Sequence, residues 1–189
     1  MIGKFLRKKK KGIVSEVEKA IRYHFRNKDL LLQALTHSSF AYESQEKTRD
    51  NELMEFLGDS VVGLIAADFF YGSYPDVTEG DLSKLKSSAS STIALAKFAR
   101  QIKLDKFVRL GRGEEKSGGR KKESILAGTF EAILGAMYLD AGFEVARNFY
   151  LQLLRGSFKK IGGEEQLDIN NYKSALQEFL QKEDLPAPH

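Results

Sequence analysis

No proline lies between Pro75 and Pro186, and the chain of 189 residues has only three. Proline removes a backbone donor and breaks helix interiors, so its absence leaves room for long helices. Apolar residues fill that room at helical spacing. Val14, Val17 and Ile21 mark a first helix, and Asp29 is placed to cap a second over 30–35. A polar stretch, 42–50, precedes a strong segment that begins near Asn51 and ends at Pro75. Thr78-Glu79-Gly80-Asp81 has the form of a capping box, opening a helix whose apolar side is Leu82, Leu85, Ile93, Leu95 and Phe98. A Gly-rich basic loop, 111–122, leads to a helix from about Ser124 to Asp140, stopped by Gly142. Val145, Ala146, Phe149, Leu153 and Leu154 line a last body helix. The pattern predicts an all-α domain over 13–160, after a basic tail (1–12) and before a polar linker (161–170) and a separate element (171–189).

With 42% hydrophobic and 30% charged residues, the chain can bury a core and is too apolar to be disordered. It has no cysteine, which excludes disulfides and thiolate metal sites. His24, His37 and His189 show no metal-ligand spacing. The longest apolar run, 61–67, falls far short of the ~20 residues of a membrane span, and no apolar stretch follows the basic N-terminus as in a secretory signal. A cytoplasmic protein without a membrane partner is expected. The net charge of +4 comes from the first eleven residues, which hold six basic side chains. The remainder carries 24 basic against 26 acidic residues. The tail can attract polyanions, and the plainer reading is a solvated arm.

The segment Asn51-Glu-Leu-Met-Glu-Phe-Leu-Gly-Asp59 segregates its charges. At about 100° per residue, Glu52, Glu55 and Asp59 share one narrow stripe. The stripe continues through the small residues Gly63, Ala66 and Ala67, while Leu53, Met54, Leu57, Val61, Leu64 and Ile65 form the expected core face. Clustered acids repel and raise one another's pKa unless a cation sits among them. From spacing alone, a solvated acidic face and a Mg²⁺ or Mn²⁺ site are equal readings. Glu131 shifts the balance: in a second helix with core face Leu126, Phe130, Ile133 and Met137, it projects away from that core beside Gly128 and Gly135. Two helices packed by their apolar sides then bring Glu55, Asp59 and Glu131 around one ion.

Asn51–Ser60 closely resembles the signature of the ribonuclease III family, Asn-Glu-Arg-Leu-Glu-Phe-Leu-Gly-Asp. Further blocks agree in order and spacing: Ala34-Leu-Thr-His-Ser-Ser-Phe40, Thr78-Glu-Gly-Asp-Leu-Ser83, Leu110–Gly119, and Glu123-Ser-Ile-Leu-Ala127 running into Glu131. The resemblance covers roughly 13–160. Residues 171–182 look like the first helix of the double-stranded-RNA-binding domain that usually follows, and the 19 residues from 171 onward are too few for that whole module.

The resemblance implies an all-α, homodimeric endonuclease domain that hydrolyses double-stranded RNA, as in rRNA and mRNA precursor processing. It implies a Mg²⁺ cofactor, with Mn²⁺ able to substitute, held by the acids matching Glu55, Asp59 and Glu131, of which Asp59 and Glu131 are the catalytic pair. Glu52 and Glu79 match acidic positions along the dimer cleft, and Phe56 matches a residue that plugs a pocket in the partner. Arg112, Lys116, Arg120, Lys121 and Lys122 are candidates to flank the cleft and meet phosphates, with a solvated charge run as the plain alternative. His37-Ser38-Ser39 reads as a structural turn. One departure stands out: the family has Asp, a metal ligand, where this chain has Gly128. Removing that oxygen implies weakened activity, and leaves a catalytically inactive RNA-binding or dimerising relative as the alternative.

Overall fold

The computed structural model describes residues 2–44 and 48–162, and these form nine helices. They are α1 (Ile2–Ile21), α2 (Lys28–Ala34), α3 (Ser38–Glu43), α4 (Glu52–Ser73), α5 (Glu79–Ala89), α6 (Thr92–Gln101), α7 (Arg112–Lys116), α8 (Glu123–Ala141) and α9 (Phe143–Gly162). Short 3₁₀ turns cover Leu104–Lys106 and Gly119–Lys121. No strand occurs among the described residues beyond an isolated bridge between Thr36 and Arg109. The all-α expectation holds.

α8 is the central helix. From Ile125 to Met137 every residue except Glu131 is buried, and α2, α4, α6 and α9 pack around it. By length and composition alone α8 is apolar enough to cross a membrane, but here other helices enclose most of it. Its Phe130 stacks among Phe98 of α6 and Phe149 and Tyr150 of α9, with ring centroids 5.9–6.4 Å apart. The buried Tyr150 hydroxyl donates to the Ala89 carbonyl at 3.0 Å, so the aromatic cluster leaves no orphaned phenol.

Glycines set how closely α4 and α8 approach. A Cβ at Gly58 would overlap the Glu131 carbonyl, and one at Gly135 the Met54 carbonyl. This contact corrects the expected core face of α4. α8 lies against the arc of Met54, Gly58, Val62 and Ala66, on the side next to the acids. Leu53 and Leu64, expected inside, are 78% and 58% exposed, whereas Ala66, expected on the open stripe, is fully buried. A helical wheel ranks residues by hydrophobicity and cannot see that bare backbone at Gly58 draws the neighbour to its side.

Several boundaries also move. Asn27, not Asp29, caps α2: its side chain accepts the Asp29 N–H at 3.1 Å. The single helix expected after Thr78 is two, because Ser90 and Ser91 turn their hydroxyls onto the Lys86 and Ser88 carbonyls. Ser91 then restarts the chain as α6 by accepting the Ala94 N–H at 3.2 Å. Thr78 does cap α5, accepting from Asp81 N–H at 3.3 Å. The expected loop 111–122 contains α7, whose first N–H groups, of Arg112 and Gly113, donate to the Glu43 carboxylate at 2.8 and 3.3 Å. Residues 2–12, expected as a tail, extend α1, and α9 runs two residues into the expected linker. The rest of that linker and 171–189 lie outside the described residues.

Two acids fasten α1, α2 and α8 together. Glu18 is 3% exposed. It accepts from Lys28 Nζ at 3.0 Å and from the Phe25 N–H at 2.9 Å. Asp140, at the end of α8, accepts the Arg26 and Asn27 N–H groups, both at 2.8 Å, and the Tyr23 hydroxyl.

Candidate active site

The entry to α4 is held by buried Asn51, whose side-chain amide donates to the Ala34 carbonyl at 3.3 Å. Asp50 accepts the Glu52 N–H at 3.2 Å, so Asn51 tethers the helix and Asp50 caps its first turn. This fixes where the first two turns of α4 project. Glu52, Glu55 and Asp59 emerge from them toward a pocket of about 620 Å³, and Glu131 enters the same pocket from α8. The structure therefore brings together four of the acids singled out in the sequence.

No lysine, arginine or histidine forms an ion pair with these four acids among the described residues. Burial pushes Glu131 up to about 8, with the Asp59 and Glu55 charges adding to the shift. Burial also raises Glu55, helped by Glu52 and Asp59. Hard oxygen donors, uncompensated negative charge and partial burial together suit a divalent cation. Among the described residues, however, no three acidic or histidine side chains converge closely enough to enclose an ion. The carboxylates share a pocket without forming a closed cage.

Gly128 adjoins this group of acids. The three atoms nearest to a Cβ built there all belong to the Glu55 carboxyl group, with Cδ at 2.6 Å and Oε1 at 2.8 Å. Glu55 is thus laid across the gap onto bare α8 backbone.

The other sequence candidates separate. Phe56 borders the pocket and is 76% exposed. With Leu53, Leu64 and Tyr71 it forms an exposed apolar stripe along α4. Glu79 is exposed at the start of α5, accepts from Ser83 Oγ at 2.6 Å and does not line the pocket. None of the five basic candidates lines it either. Arg120 is a structural brace, donating to the Asp105 and Val108 carbonyls at 2.9 Å and to Glu115 at 2.6 Å. Lys122 pairs with Glu114 at 2.7 Å. Arg112, Lys116 and Lys121 are exposed and make no ion pair among the described residues.

Sequence reasoning passed over part of the rim. His37 caps α3, its Nδ1 accepting the Ser39 N–H at 3.2 Å, as a structural turn should. Yet His37 and Ser38 also line the pocket, together with Ser124 and Ile125 from the start of α8. Local periodicity carries no signal of this, because what places the segment is a long-range pairing in which the His37 N–H donates to the Arg109 carbonyl at 3.1 Å.

Comparison with known proteins settles the family. The Ribonuclease-III-like family profile matches residues 27–157. The chain is 44% identical over 177 residues to Ribonuclease 3 of Treponema denticola, covering 94% of this chain and 71% of that one. It is 46% identical over 169 residues to Ribonuclease 3 of Fusobacterium nucleatum, covering 89% and 71%. The chain belongs to the ribonuclease III family of endoribonucleases. Its fold superposes on the nuclease domain of ribonuclease III from Campylobacter jejuni with a TM-score of 0.71 at 37% identity, covering 80% of this chain and 97% of that one. A second structure of that nuclease domain, described as flexible in a region involved in dimer formation, also gives 0.71, at 38% identity, covering 76% and 96%.

Proposed function

We propose that this chain is a divalent-metal-dependent endoribonuclease that cleaves double-stranded RNA as a homodimer in the cytoplasm. The observation that carries the reading is that Glu55, Asp59 and Glu131, from two helices, line one pocket and that none of them has a cationic partner among the described residues. Mg²⁺, or Mn²⁺ in its place, would be held by these three carboxylates. When bound, such an ion lowers the pKa of a water and neutralises charge on a scissile phosphate. The chain's own part is to bind and to order. Asp59 and Glu131 supply oxygen donors from opposite helices. Burial holds the Glu131 carboxyl above its ordinary range, so a cation held there would favour loss of its proton. Glu52, at the pocket's outer edge, accepts hydrogen bonds from ribose hydroxyls, the groups that distinguish RNA from DNA.

The exposed apolar side chains Leu53, Phe56, Leu64 and Tyr71 along one side of α4 support dimerisation, since exposed apolar surface of this kind marks interfaces. Glu79 and the exposed Arg112, Lys116 and Lys121 reach RNA outside the pocket, where A-form duplex is read by shape. Gly128 supplies no oxygen to the cation, which supports weaker metal binding than an acid there would give.

That same glycine favours a second reading, a relative that binds duplex RNA without cutting it. The deciding experiment incubates the chain and its Gly128→Asp variant with duplex RNA across a Mg²⁺ and Mn²⁺ titration. Metal-dependent products that vanish in Asp59→Asn establish the nuclease. Retained RNA binding with no product from either form, at any metal concentration, establishes the alternative.

A further inference from the structure

Four carboxylates line the pocket, and RNA brings phosphate oxygens to it, acceptors that need hydrogen-bond donors. No lysine or arginine lines it among the described residues, and the side-chain N–H donors there are those of Asn51 and His37. Asn51 is buried, with its amide turned onto the Ala34 carbonyl. His37 is half-buried, and its two ring nitrogens have separate surroundings. Nδ1 accepts the Ser39 N–H at 3.2 Å and lies 2.8 Å from Ser39 Oγ. That oxygen accepts the Gly111 N–H at 3.0 Å, which leaves its hydroxyl proton to donate to Nδ1. A ring nitrogen that accepts holds no proton, so these bonds assign the ring proton to Nε2. No described residue takes the Nε2–H as a hydrogen bond.

We propose that His37 is an RNA-binding residue, whose Nε2–H donates to a backbone phosphate oxygen of duplex RNA at this pocket. Its setting suits that work. The His37 N–H donates to the Arg109 carbonyl at 3.1 Å, and Gly111 holds Ser39, so a distant segment fixes the ring before RNA arrives. Capping α3 and meeting RNA are divided between the two nitrogens of one imidazole. In this tautomer the ring has no charge, which matters beside four acids. A lysine here would pair with the carboxylates and compete with a cation for them. The uncharged Nε2–H leaves them open.

The inference rests on the duplex-RNA reading of the pocket, and its first test needs no RNA. Long-range proton–nitrogen NMR of the full chain reads the His37 tautomer and shows Nε2 protonated and Nδ1 bare. Adding duplex RNA then moves the Nε2 resonance more than that of Nδ1. His37→Asn separates the two roles. Its amide oxygen can cap α3, since asparagine is among the strongest capping residues, and its shorter side chain does not reach the Nε2 position. A thermal melt of the variant matches the unmodified chain. Stopped-flow anisotropy in Mg²⁺ reads binding before cutting, and shows duplex RNA held about tenfold more weakly, the range for a hydrogen bond to a charged group. The slope of log K against log salt is unchanged, because no cation is lost. The loss persists on a duplex whose central nucleotides are 2′-deoxy, because the acceptor is phosphate.

A His37 ring protonated on Nδ1 overturns the proposal. So does a salt slope that falls by about one in His37→Asn, the mark of a lost cation, or a loss of affinity that disappears on the 2′-deoxy duplex. Failure of the unmodified chain to bind duplex RNA removes the functional reading and this inference with it. Binding by the unmodified chain that His37→Asn leaves unchanged removes this inference alone.

Discussion

Glu18 and Glu131 are both glutamates drawn out of solvent by helix packing, and the molecule treats them in opposite ways. At Glu18, burial acts to raise the pKa, but Lys28, the Phe25 N–H and His24 outweigh it and hold the carboxyl below its ordinary value. Asp140, at the far end of α8, is likewise lowered by Tyr23 and the Asn27 and Arg26 N–H groups against the cost of burial. Glu131 has no such donors among the described residues. Burial raises it to about 8, and the Asp59 and Glu55 charges add to the effect. An acid that fastens helices has its partners in the same chain, and on the proposed reading an acid without them takes a cation from outside. That contrast separates the structural end of the bundle from the end proposed to be functional.

The largest expected effect comes from the functional end. Asp59→Asn or Glu131→Gln lowers kcat/KM on duplex RNA by at least about a hundredfold, since a bound metal contributes several kcal/mol of transition-state stabilisation. A loss under tenfold in gel assays at saturating Mg²⁺ would mean that these acids are as structural as Glu18. Next comes the apolar stripe. Phe56→Ala weakens the dimer about tenfold or more, as truncation of a central aromatic anchor does, seen as a shift toward monomer in sedimentation velocity. An unchanged association constant would place the interface elsewhere.

At the structural end, Glu18→Gln destabilises the chain by about 1–3 kcal/mol at pH 7, the cost of unsatisfied buried hydrogen-bond partners, read by chemical denaturation. The folded pKa of Glu18 lies below its unfolded value of 4.5, so its stabilisation is present above that pH and is lost as pH falls through the folded pKa. The difference between variant and parent therefore vanishes in acid.

Glu131 has the reverse sign. Its folded pKa exceeds its unfolded value, so the metal-free fold loses stability as pH rises from about 4.5 to about 8. Glu131→Gln raises the Tm of metal-free protein at pH 8 by a few degrees, at ~2–4 °C per kcal/mol, and leaves it unchanged near pH 4. A divalent cation produces the same rise in the unmodified chain through linkage. If Glu131→Gln lowered the Tm at pH 8, the contrast with Glu18 would collapse.

Much of this was legible in the sequence because it depends on local order. Helical spacing located α4, α8 and α9, and the acid stripe placed Glu52, Glu55 and Asp59 together because i, i+3 and i+7 fix a face whatever surrounds the helix. What escaped depends on neighbours. The rotation of α4 that exposes Leu53 and Leu64 follows from backbone contact at Gly58 and Gly135, which hydrophobicity does not encode. Glu18 and Asp140 look like ordinary surface acids until their N–H partners from the turn after α1 are in place. The charge run that offers Arg120 as a candidate to meet phosphates does not show that its side chain also donates to two backbone carbonyls. At Gly128 the sequence displayed a missing acid, while the space beside it, filled by Glu55, is a property of two helices at once.

The most direct test follows the Glu131 carboxyl carbon by NMR across pH, in metal-free protein and at saturating Mg²⁺. The account requires a midpoint near 8 without metal, moving down to or below the ordinary 4.5 when Mg²⁺ is present. A midpoint near 4.5 in both conditions would contradict it, because Glu131 would then be a solvated surface acid with no cation to receive.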